Sequence, residues 1–136
     1  MKRRLIVTAA IIECAGAFLV TRRTKGTHLE GVWEFPGGKC DPGETLAACM
    51  ARELDEELGV RTVVGEEVFW TAHEYSDRIV ELHFLRCAIE GTPEARLGQE
   101  MQWIAREALH TLEFPPADAE LIQILAGTSG SGATSA

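Results

Sequence analysis

Apolar and polar positions along this chain alternate mostly with the period of β-strands, and one long stretch has helical spacing instead. Strands are favoured where β-branched and aromatic residues alternate with polar ones, or form short apolar runs between turn residues. The first run is almost continuously apolar, as in a strand buried on both faces. Short turns at 15–16 and 75–78 join neighbouring runs. The strands predicted in this way are 3–13, 17–24, 32–35, 61–74, 78–90 and 101–104.

The two longest strands form a predicted hairpin over residues 61–90. Its arms alternate with a period of two, so each arm should carry an apolar face. The residues expected on these apolar faces are Val68, Trp70, Ala72, Val80, Leu82 and Phe84. His83 and Glu81 should point the other way.

The segment from Thr45 to Leu58 has the composition and spacing of a helix. It contains no Gly or Pro, follows Pro42-Gly43 and precedes Gly59, the usual residue at a helix end. Residues three and four apart share a helix face, so one apolar stripe is expected. The stripe comprises Ala47, Ala51, Leu54 and Leu58. Two further helical segments are predicted, a turn at 106–110 and a helix at 117–125.

This order of elements indicates an α+β or layered α/β/α domain. The 136 residues lie within the usual range of one domain, and 46% hydrophobic with 25% charged residues is typical of a globular protein. We expect one domain over residues 1–126. The remaining residues 127–136, GTSGSGATSA, are of low complexity and are predicted to be a disordered tail.

Charge and cysteine usage narrow the classes of function. A net charge of −8 argues against a nucleic-acid polymer as partner, because such proteins carry a basic face. No apolar run reaches membrane-spanning length. The basic, apolar N-terminus could be a targeting segment, but Glu13 interrupts the run. The four cysteines lack a paired-motif spacing, so reduced thiols in a cytoplasmic protein are expected.

An acidic face lies beside the apolar stripe of the predicted helix. Arg52, Glu53, Glu56 and Glu57 fall on this face, because residues three and four apart are neighbours on a helix. Like charges at helical spacing cost roughly a few tenths of a kcal/mol per pair. A bound divalent cation would make this cluster of charges stabilising instead of destabilising. Mg²⁺ takes oxygen ligands from one or two carboxylates and from substrate phosphates. The alternative is a solvated acidic face, which is usual for a charge run.

The loop before this helix favours the metal interpretation. Gly38 is followed after five residues by Glu44, after seven more by Arg52-Glu53-Leu54, and then by Glu56-Glu57 and Gly59-Val60. This pattern resembles the complete signature of the Nudix hydrolase family. The resemblance covers residues 3–126 and implies a Nudix fold, a mixed sheet between helices. The segments that resemble MutT-like members are TRR at 21–23, EFPGGK at 34–39, SDR at 76–78 and FPPA at 114–117.

The resemblance implies hydrolysis of a nucleoside triphosphate to a monophosphate and pyrophosphate, with Mg²⁺ as cofactor and Mn²⁺ able to replace it. Such chemistry depends on positioning and charge neutralisation. The implied metal ligands are a carbonyl of Gly37 or Gly38 and the carboxylates of Glu53, Glu56 and Glu57. Glu53 is the first choice for the general base and Glu44 the second. Arg52 would orient the carboxylates by ion pairs. The partner is a small nucleotide, and nothing in the sequence indicates an oligomeric state.

Substrate-binding residues are expected outside this motif. The candidates are Arg23, His28, Phe35, Lys39, Arg78 and Asp118. Phe35 could stack on a base, and a guanidinium suits phosphate or base contacts. Asp118 stands where MutT-like members place a base-reading side chain, which in MutT is an asparagine. An ionised Asp offers only acceptors, so it suits guanine's N1–H and amine or cytosine's amine. The alternative for Asp118 is helix N-capping.

One departure from the family pattern concerns the number of metal ions. MutT-like members often carry another metal-binding glutamate just before a Gln, and this chain has Leu97 two residues before Gln99. The nearby Glu94 and Glu100 could substitute for that glutamate. Three functions follow from the sequence. The first is removal of oxidised purine nucleotides such as 8-oxo-dGTP, and the second is pyrophosphohydrolysis of CTP. The third is a non-catalytic nucleotide sensor, which the intact set of carboxylates argues against.

Overall fold

The computed structural model describes residues 2–26 and 30–135, with side chains up to residue 127, and it has an α+β fold. The α+β class predicted from the sequence is therefore confirmed. The strands are β1 (Arg3–Ile11), β2 (Glu13–Cys14), β3 (Ala17–Arg22), β4 (Trp33–Glu34), β5 (Gly37–Lys39), β6 (Arg61–Glu74), β7 (Arg78–Glu90) and β8 (Glu100–Ala105). The α-helices are α1 (Leu46–Leu58) and α2 (Ala119–Ser135), and 3-10 helices cover Arg106–Thr111 and Pro116–Asp118.

The chain divides into two compact units, and the first comprises residues 2–12 and 35–98. It contains a mixed four-stranded sheet with the order β5-β1-β7-β6. β1 runs parallel to β7 and antiparallel to β5. Helix α1 packs on this sheet against β1, β5 and β6. The parallel neighbour on one side and the buried end of β1 explain its nearly continuous apolar sequence.

The hairpin of β6 and β7 forms at the predicted positions, but one predicted face is wrong. Register shifts interrupt the pairing between Val64 and Phe69. Beyond them Trp70 lies opposite His83, and Ala72 opposite Glu81. These two residues therefore lie on the polar face, and the Trp70 side chain is 57% exposed. Phe69 pairs with Phe84 instead. Next to the turn Glu74 pairs with Ile79, so even-numbered residues of this part of β6 lie opposite odd-numbered residues of β7, and Phe69, Thr71 and His73 lie opposite Phe84, Leu82 and Val80.

The second unit comprises residues 13–26, 30–34 and 99–135. Its sheet is antiparallel, with β3 paired to β2 and β4 along one edge and to β8 along the other. The predicted turn at Ala15-Gly16 is present, with positive φ at both residues. The strand predicted at 3–13 is divided, because only Glu13 and Cys14 pair across this turn. Residues 3–11 belong to the other sheet.

Helix α1 has the predicted ends, but its buried stripe is shifted. Thr45 is the N-cap, and its side chain accepts a hydrogen bond from the Ala48 amide at 3.1 Å. Gly59 ends the helix with φ 67°, a left-handed conformation that glycine adopts without a steric penalty. The buried residues are Cys49, Met50, Leu54 and Leu58. Ala47 is exposed and Ala51 half-buried, because the larger Met50 extends the stripe of Leu54 and Leu58 by one turn.

The C-terminal helix begins close to the predicted position. Leu121 and Leu125 are buried, as an amphipathic helix requires. Helix α2 continues through residues 127–135, a segment for which the sequence predicts a disordered tail. The domain boundary at residue 126 stays a prediction. Among the described residues, none of the helices is both long and apolar enough to cross a membrane.

Candidate active site

Arg52 is the centre of a network that joins the loop before α1 to the acidic face of α1. Its Nε and Nη2 atoms donate to the two carboxylate oxygens of Glu44, at 2.8 and 2.9 Å. Its Nη1 atom donates to Glu53 at 3.0 Å and to Glu56 at 3.2 Å. Nη2 also donates to the carbonyl oxygen of Lys39 at 3.0 Å. The predicted orienting role of Arg52 therefore has a geometric basis.

Glu44 is held as an ionised carboxylate by this network. Besides the paired contacts with Arg52, its Oε1 atom accepts a hydrogen bond from the Asp41 amide at 2.8 Å. The Arg52 hydrogen bonds, together with that of Asp41, lower the pKa of Glu44 to about 2. A carboxylate with so low a pKa is a weak base, because proton acceptance improves as the pKa approaches the working pH. The contacts favour a role for Glu44 in shaping the loop.

Two adjacent glycines bring the loop backbone against β1 and α1. Gly37 and Gly38 pair with Ala9 and Thr8 across the sheet. A Cβ atom on Gly37 would overlap the backbone of Thr8, whereas one on Gly38 would overlap only the carboxylate of Glu53. The Gly38 backbone and the Glu53 carboxylate therefore approach each other as closely as only glycine allows.

The oxygen atoms at this place fit a hard divalent cation. Glu53 lies against Gly38, and Arg52 holds both Glu53 and Glu56. Glu57 lies one turn beyond Glu53 on the same helix and is half-buried. Carboxylates and backbone carbonyls are the ligands that Mg²⁺ and Mn²⁺ prefer. Glutamates in excess of the single guanidinium leave negative charge that a cation would neutralise.

The structure contradicts the expectation that all four cysteines are reduced. Cys40 and Cys49 form a disulfide between the end of the glycine loop and α1. Cys14 and Cys87 are free, the first exposed and the second buried. Burial raises the pKa of the Cys87 thiol to about 12, which makes it unreactive. Sequence spacing failed here because residues nine apart become neighbours only when the loop folds back on the helix.

The predicted loop glutamates near Leu97 are separated by the fold. Leu97 is 64% exposed. The Glu94 amide donates to the carbonyl of Leu58, the last residue of α1, at 2.9 Å. Glu94 therefore lies beside the end of the acidic helix. Glu100 belongs to β8 and forms an ion pair with Arg22 at 3.3 Å. Glu94 belongs to the unit that contains the acidic helix, and Glu100 belongs to the other unit.

A second group of charged residues lies in the second unit. Arg23 donates to Glu34 at 3.0 Å. Asp118 is only 4% exposed, and burial with the nearby Glu34 raises its pKa to about 7. Burial also raises the pKa of Glu34, against the effect of Arg23. Asp118 was predicted as an ionised acceptor, but near neutral pH it is partly protonated.

The other predicted substrate residues occupy different environments. Phe35 is 4% exposed and packs edge-on against Phe84 with ring centres 6.3 Å apart, so it belongs to the core of the first unit. Arg78 stacks on Tyr75 at 5.4 Å, and its buried Nε atom lacks a hydrogen-bond partner among the described residues. The Lys39 residue is exposed. His28 lies outside the described residues.

Two groups of functional interest were not predicted from the sequence. Glu34 is one, although it lies within the EFPGGK segment on which the resemblance depends. A glutamate between two buried aromatic residues, Trp33 and Phe35, is an unusual position for a charge and could have indicated it. The Cys40–Cys49 pair is the other, and local spacing carried no comparable signal for it.

Comparison with known proteins identifies the family. The NUDIX domain model matches residues 7–123, so the chain belongs to the Nudix family. It is 38% identical over 118 residues to the CTP pyrophosphohydrolase of Escherichia coli K12, covering 86% of this chain and 87% of that protein. It is also 38% identical over 126 residues to the 8-oxo-dGTP diphosphatase of Haemophilus influenzae, covering 91% and 93%.

Solved structures agree with this assignment. The E. coli ORF135 protein superposes with a TM-score of 0.85 at 34% identity, covering 96% of this chain and 94% of that one. The MutT protein of methicillin-resistant Staphylococcus aureus 252 superposes with a TM-score of 0.79 at 31% identity, covering 94% and 99%. The Nudix fold implied by the resemblance is confirmed.

The contact between Gly38 and Glu53 allows a test in which metal binding changes and folding does not. Gly38→Ala should displace the Glu53 side chain, which can rotate away, and leave the fold intact. We expect Mn²⁺ to bind about 10-fold more weakly to this variant. Binding is measured by electron paramagnetic resonance of free Mn²⁺, and folding by thermal unfolding. Gly37→Ala is the matched control, because its Cβ meets backbone and should destabilise the fold by about 1–3 kcal/mol. Unchanged Mn²⁺ affinity in Gly38→Ala would contradict the assignment.

Proposed function

We propose that this chain hydrolyses nucleoside triphosphates to nucleoside monophosphates and pyrophosphate, with Mg²⁺ as cofactor. The observation that carries the proposal is the Arg52 network, which gathers Glu53 and Glu56 beside the Gly38 backbone. Relatives with this family's motif are named as pyrophosphohydrolases and diphosphatases of nucleotides. A network that organises carboxylates in this way suits catalysis better than passive sensing, which needs no base.

The residues that would hold the cation are the Gly38 carbonyl, Glu53, Glu56 and Glu57, with Gly37 as the alternative carbonyl. Bound there, Mg²⁺ supplies charge neutralisation for the phosphates and a more acidic water. Arg52 fixes the carboxylates, so little reorganisation accompanies the reaction. Glu53 accepts a proton from the attacking water. The water oxygen forms a bond to the β-phosphorus, and the bond from that phosphorus to the oxygen of the nucleoside monophosphate breaks.

Arg78 and the metal ligands would contact different parts of the substrate. Gly38 pairs with Thr8, and Thr8 with His83, in one row across the sheet. Arg78 lies five residues before His83 on β7, so it is roughly 17 Å from that row along the strand. The Arg78 side chain is 43% exposed, so its guanidinium would contact a nucleotide group remote from the cation. Lys39 adjoins Gly38 and would contact phosphate, and His28 stays a weaker prediction.

The acidic pair Glu34 and Asp118, with Arg23, is the proposed base-reading group. An ionised carboxylate accepts hydrogen bonds from two adjacent donors, such as N1–H and the amine of guanine or 8-oxoguanine. We therefore propose an oxidised purine nucleotide such as 8-oxo-dGTP as substrate. The raised pKa of Asp118 favours CTP as a second candidate, because a protonated carboxyl offers a donor and an acceptor, as the cytosine edge does. Phe35 stays a predicted stacking residue, although its burial against Phe84 opposes that role.

A panel assay tests the proposed reaction. Purified protein is incubated with Mg²⁺ and with 8-oxo-dGTP, dGTP, CTP or dATP, and the products are separated as monophosphate, pyrophosphate and phosphate. We expect monophosphate and pyrophosphate in equal amounts and no activity with a chelator. Release of inorganic phosphate and a diphosphate would indicate attack at the γ-phosphorus instead, and no turnover of any substrate would favour a sensor.

The metal assignment predicts the effect of Glu57→Gln. This variant removes one charged ligand with almost no change in helix propensity. We expect Mn²⁺ affinity to fall about 10-fold or more, with activity partly restored by a high Mg²⁺ concentration. Glu90→Gln, on the exposed end of β7, is the control for removal of one negative charge. Equal Mn²⁺ affinity in the two variants would exclude Glu57 as a ligand.

The assignment of the base predicts different outcomes for Glu53→Gln and Glu44→Gln. Removing the proton acceptor Glu53 should lower kcat by about 10²–10⁴-fold at saturating Mg²⁺, with little change in substrate KM. Glu44→Gln should have a smaller effect on kcat, because its low pKa makes it a poor base. A loss of only a few-fold in Glu53→Gln, with a large loss in Glu44→Gln, would transfer the role to Glu44.

The pKa of about 7 for Asp118 predicts a pH-dependent preference between substrates. We expect the ratio of kcat/KM for 8-oxo-dGTP to that for CTP to rise between pH 6 and 8, as Asp118 loses its proton. The ratio removes ionisations that are common to both reactions. Asp118→Asn should give a low ratio that does not change with pH.

The raised pKa of Asp118 also predicts the stability of Asp118→Asn, which shows whether the variant is folded. A folded-state pKa above the ordinary 3.8 stabilises the protein at low pH, and this stabilisation is lost as pH rises through about 7. Asp118→Asn should therefore be at least as stable as the parent at pH 8. A ratio that is the same in both proteins at every pH would leave Asp118 as a helix cap.

A further inference from the structure

The Cys40–Cys49 disulfide lies directly beside the proposed metal-binding carbonyl. Cys40 follows β5, and its amide donates to the Ile6 carbonyl at 2.8 Å, which fixes it to β1. Cys49 lies in the first part of α1 and is fully buried. The disulfide closes the segment 40–49, which contains Glu44 and the helix cap Thr45. It is thus a covalent connection between the glycine loop and the acidic helix.

The buried sulfur reaches the oxygen that would bind the cation. Cys49 Sγ is 3.8 Å from the Gly38 carbonyl oxygen and 3.3 Å from Thr8 Oγ1. Thr8 Oγ1 in turn lies 3.4 Å from the same Gly38 oxygen. A disulfide sulfur has no proton to donate, whereas a thiol is a weak donor. Reduction would therefore add a donor beside a carbonyl whose lone pairs are needed for the metal.

Two physical effects of reduction act in the same direction. The Cys49 thiol competes with the cation for the Gly38 oxygen, and the loop between residues 40 and 49 loses its covalent closure. The disulfide joins the end of β5, which carries the Gly38 carbonyl, to α1, which carries the glutamates, so less conformational entropy is lost when the cation binds to the oxidised protein. The oxidised protein should consequently have the higher affinity for a divalent cation.

We propose that Cys40 and Cys49 are a reversible redox pair whose disulfide strengthens divalent-cation binding at the Gly38 carbonyl. The inference rests on the proposed function, because it takes that carbonyl as a metal ligand. The disulfide would give the proposed site a higher affinity for its cation under oxidising conditions. Oxidising conditions also produce oxidised nucleotides.

The reaction is thiol–disulfide exchange with a small-molecule disulfide such as oxidised glutathione. Half-buried Cys40 is the accessible sulfur, so its thiolate attacks the small disulfide and releases one thiol. Cys49 then attacks Cys40 in the mixed disulfide and releases the second thiol. Two protein thiols lose two protons and two electrons, and one disulfide molecule becomes two thiols. A reducing thiol such as glutathione reverses both steps.

The first measurement is a count of free thiols in denaturant, since Cys49 and Cys87 are buried in the folded protein. After treatment with oxidised glutathione and its removal we expect two free thiols, and after treatment with a phosphine reductant four. Peptide mapping should place the disulfide between Cys40 and Cys49. Four free thiols after oxidation, or a disulfide between other cysteines, would overturn the proposal.

The second measurement is Mn²⁺ affinity, determined by electron paramagnetic resonance on both forms without substrate. We expect the Kd to be about 10-fold higher in the reduced protein. Cys40→Ser should have the reduced-state Kd under both conditions, and circular dichroism shows whether it is folded. Cys14→Ser, which removes an exposed free cysteine, should respond to redox state as the parent does. Should Cys40→Ser fail to fold, Cys40→Ala takes its place.

The outcomes separate this proposal from the proposed function. Equal Mn²⁺ affinity in the oxidised and reduced parent protein would overturn the redox proposal and leave the metal site intact. A redox response that persists in a folded Cys40 variant would overturn it as well. Absence of Mn²⁺ binding in both redox forms would instead refute the assignment of the metal ligands. The Mn²⁺ affinity of Glu57→Gln tests that assignment independently.

Discussion

The candidate site depends on the hydrogen bonds and ion pairs of the Arg52 guanidinium. Its nitrogen atoms contact two carboxylate oxygens of Glu44, one each of Glu53 and Glu56, and the carbonyl of Lys39. These partners come from the glycine loop, the turn before α1 and α1 itself. A lysine could not replace it, because a single ammonium lacks the planar fork that contacts a carboxylate with two bonds and still reaches other acceptors.

Charge balance at this network supports the proposed cation site. Arg52 contributes one positive charge, and its four ion-pair partners contribute four negative ones, from Asp41, Glu44, Glu53 and Glu56. Glu57 is the next residue on the helix. The arrangement therefore keeps a negative excess, whose mutual repulsion is only partly screened where the side chains are 15% exposed, as in Glu44 and Glu53. A divalent cation bound at the proposed site would remove this excess and place positive charge beside the substrate phosphates, in a protein with a net charge of −8.

Features determined by neighbouring residues could be predicted from the sequence. Helix α1 with its cap and glycine end, the β6–β7 hairpin and the loop–helix motif depend on short-range spacing, and the structure contains each of them. The features missed depend on distant parts of the chain. The strand at 3–13 divides between sheets because β7, more than sixty residues later, offers a parallel partner for residues 3–11. Trp70 lies on the polar face because the register of the hairpin pairs it with His83, and Cys40 meets Cys49 because the loop folds back.

The base-reading group shows why residue identity alone could not give a protonation state. As an isolated side chain Asp118 would be ionised at neutral pH, and an acceptor-only role follows from that. In the fold, Asp118 is buried near Glu34, whose ion-pair partner is Arg23. One guanidinium neutralises one carboxylate, so the second carboxyl group keeps its proton to a higher pH. Burial raises the pKa of Glu34 although Arg23 opposes that shift, and Asp118 changes between donor and acceptor near neutral pH. An asparagine in that position, as in MutT, has only one hydrogen-bonding state, so in the proposed base-reading role aspartate would make recognition sensitive to pH.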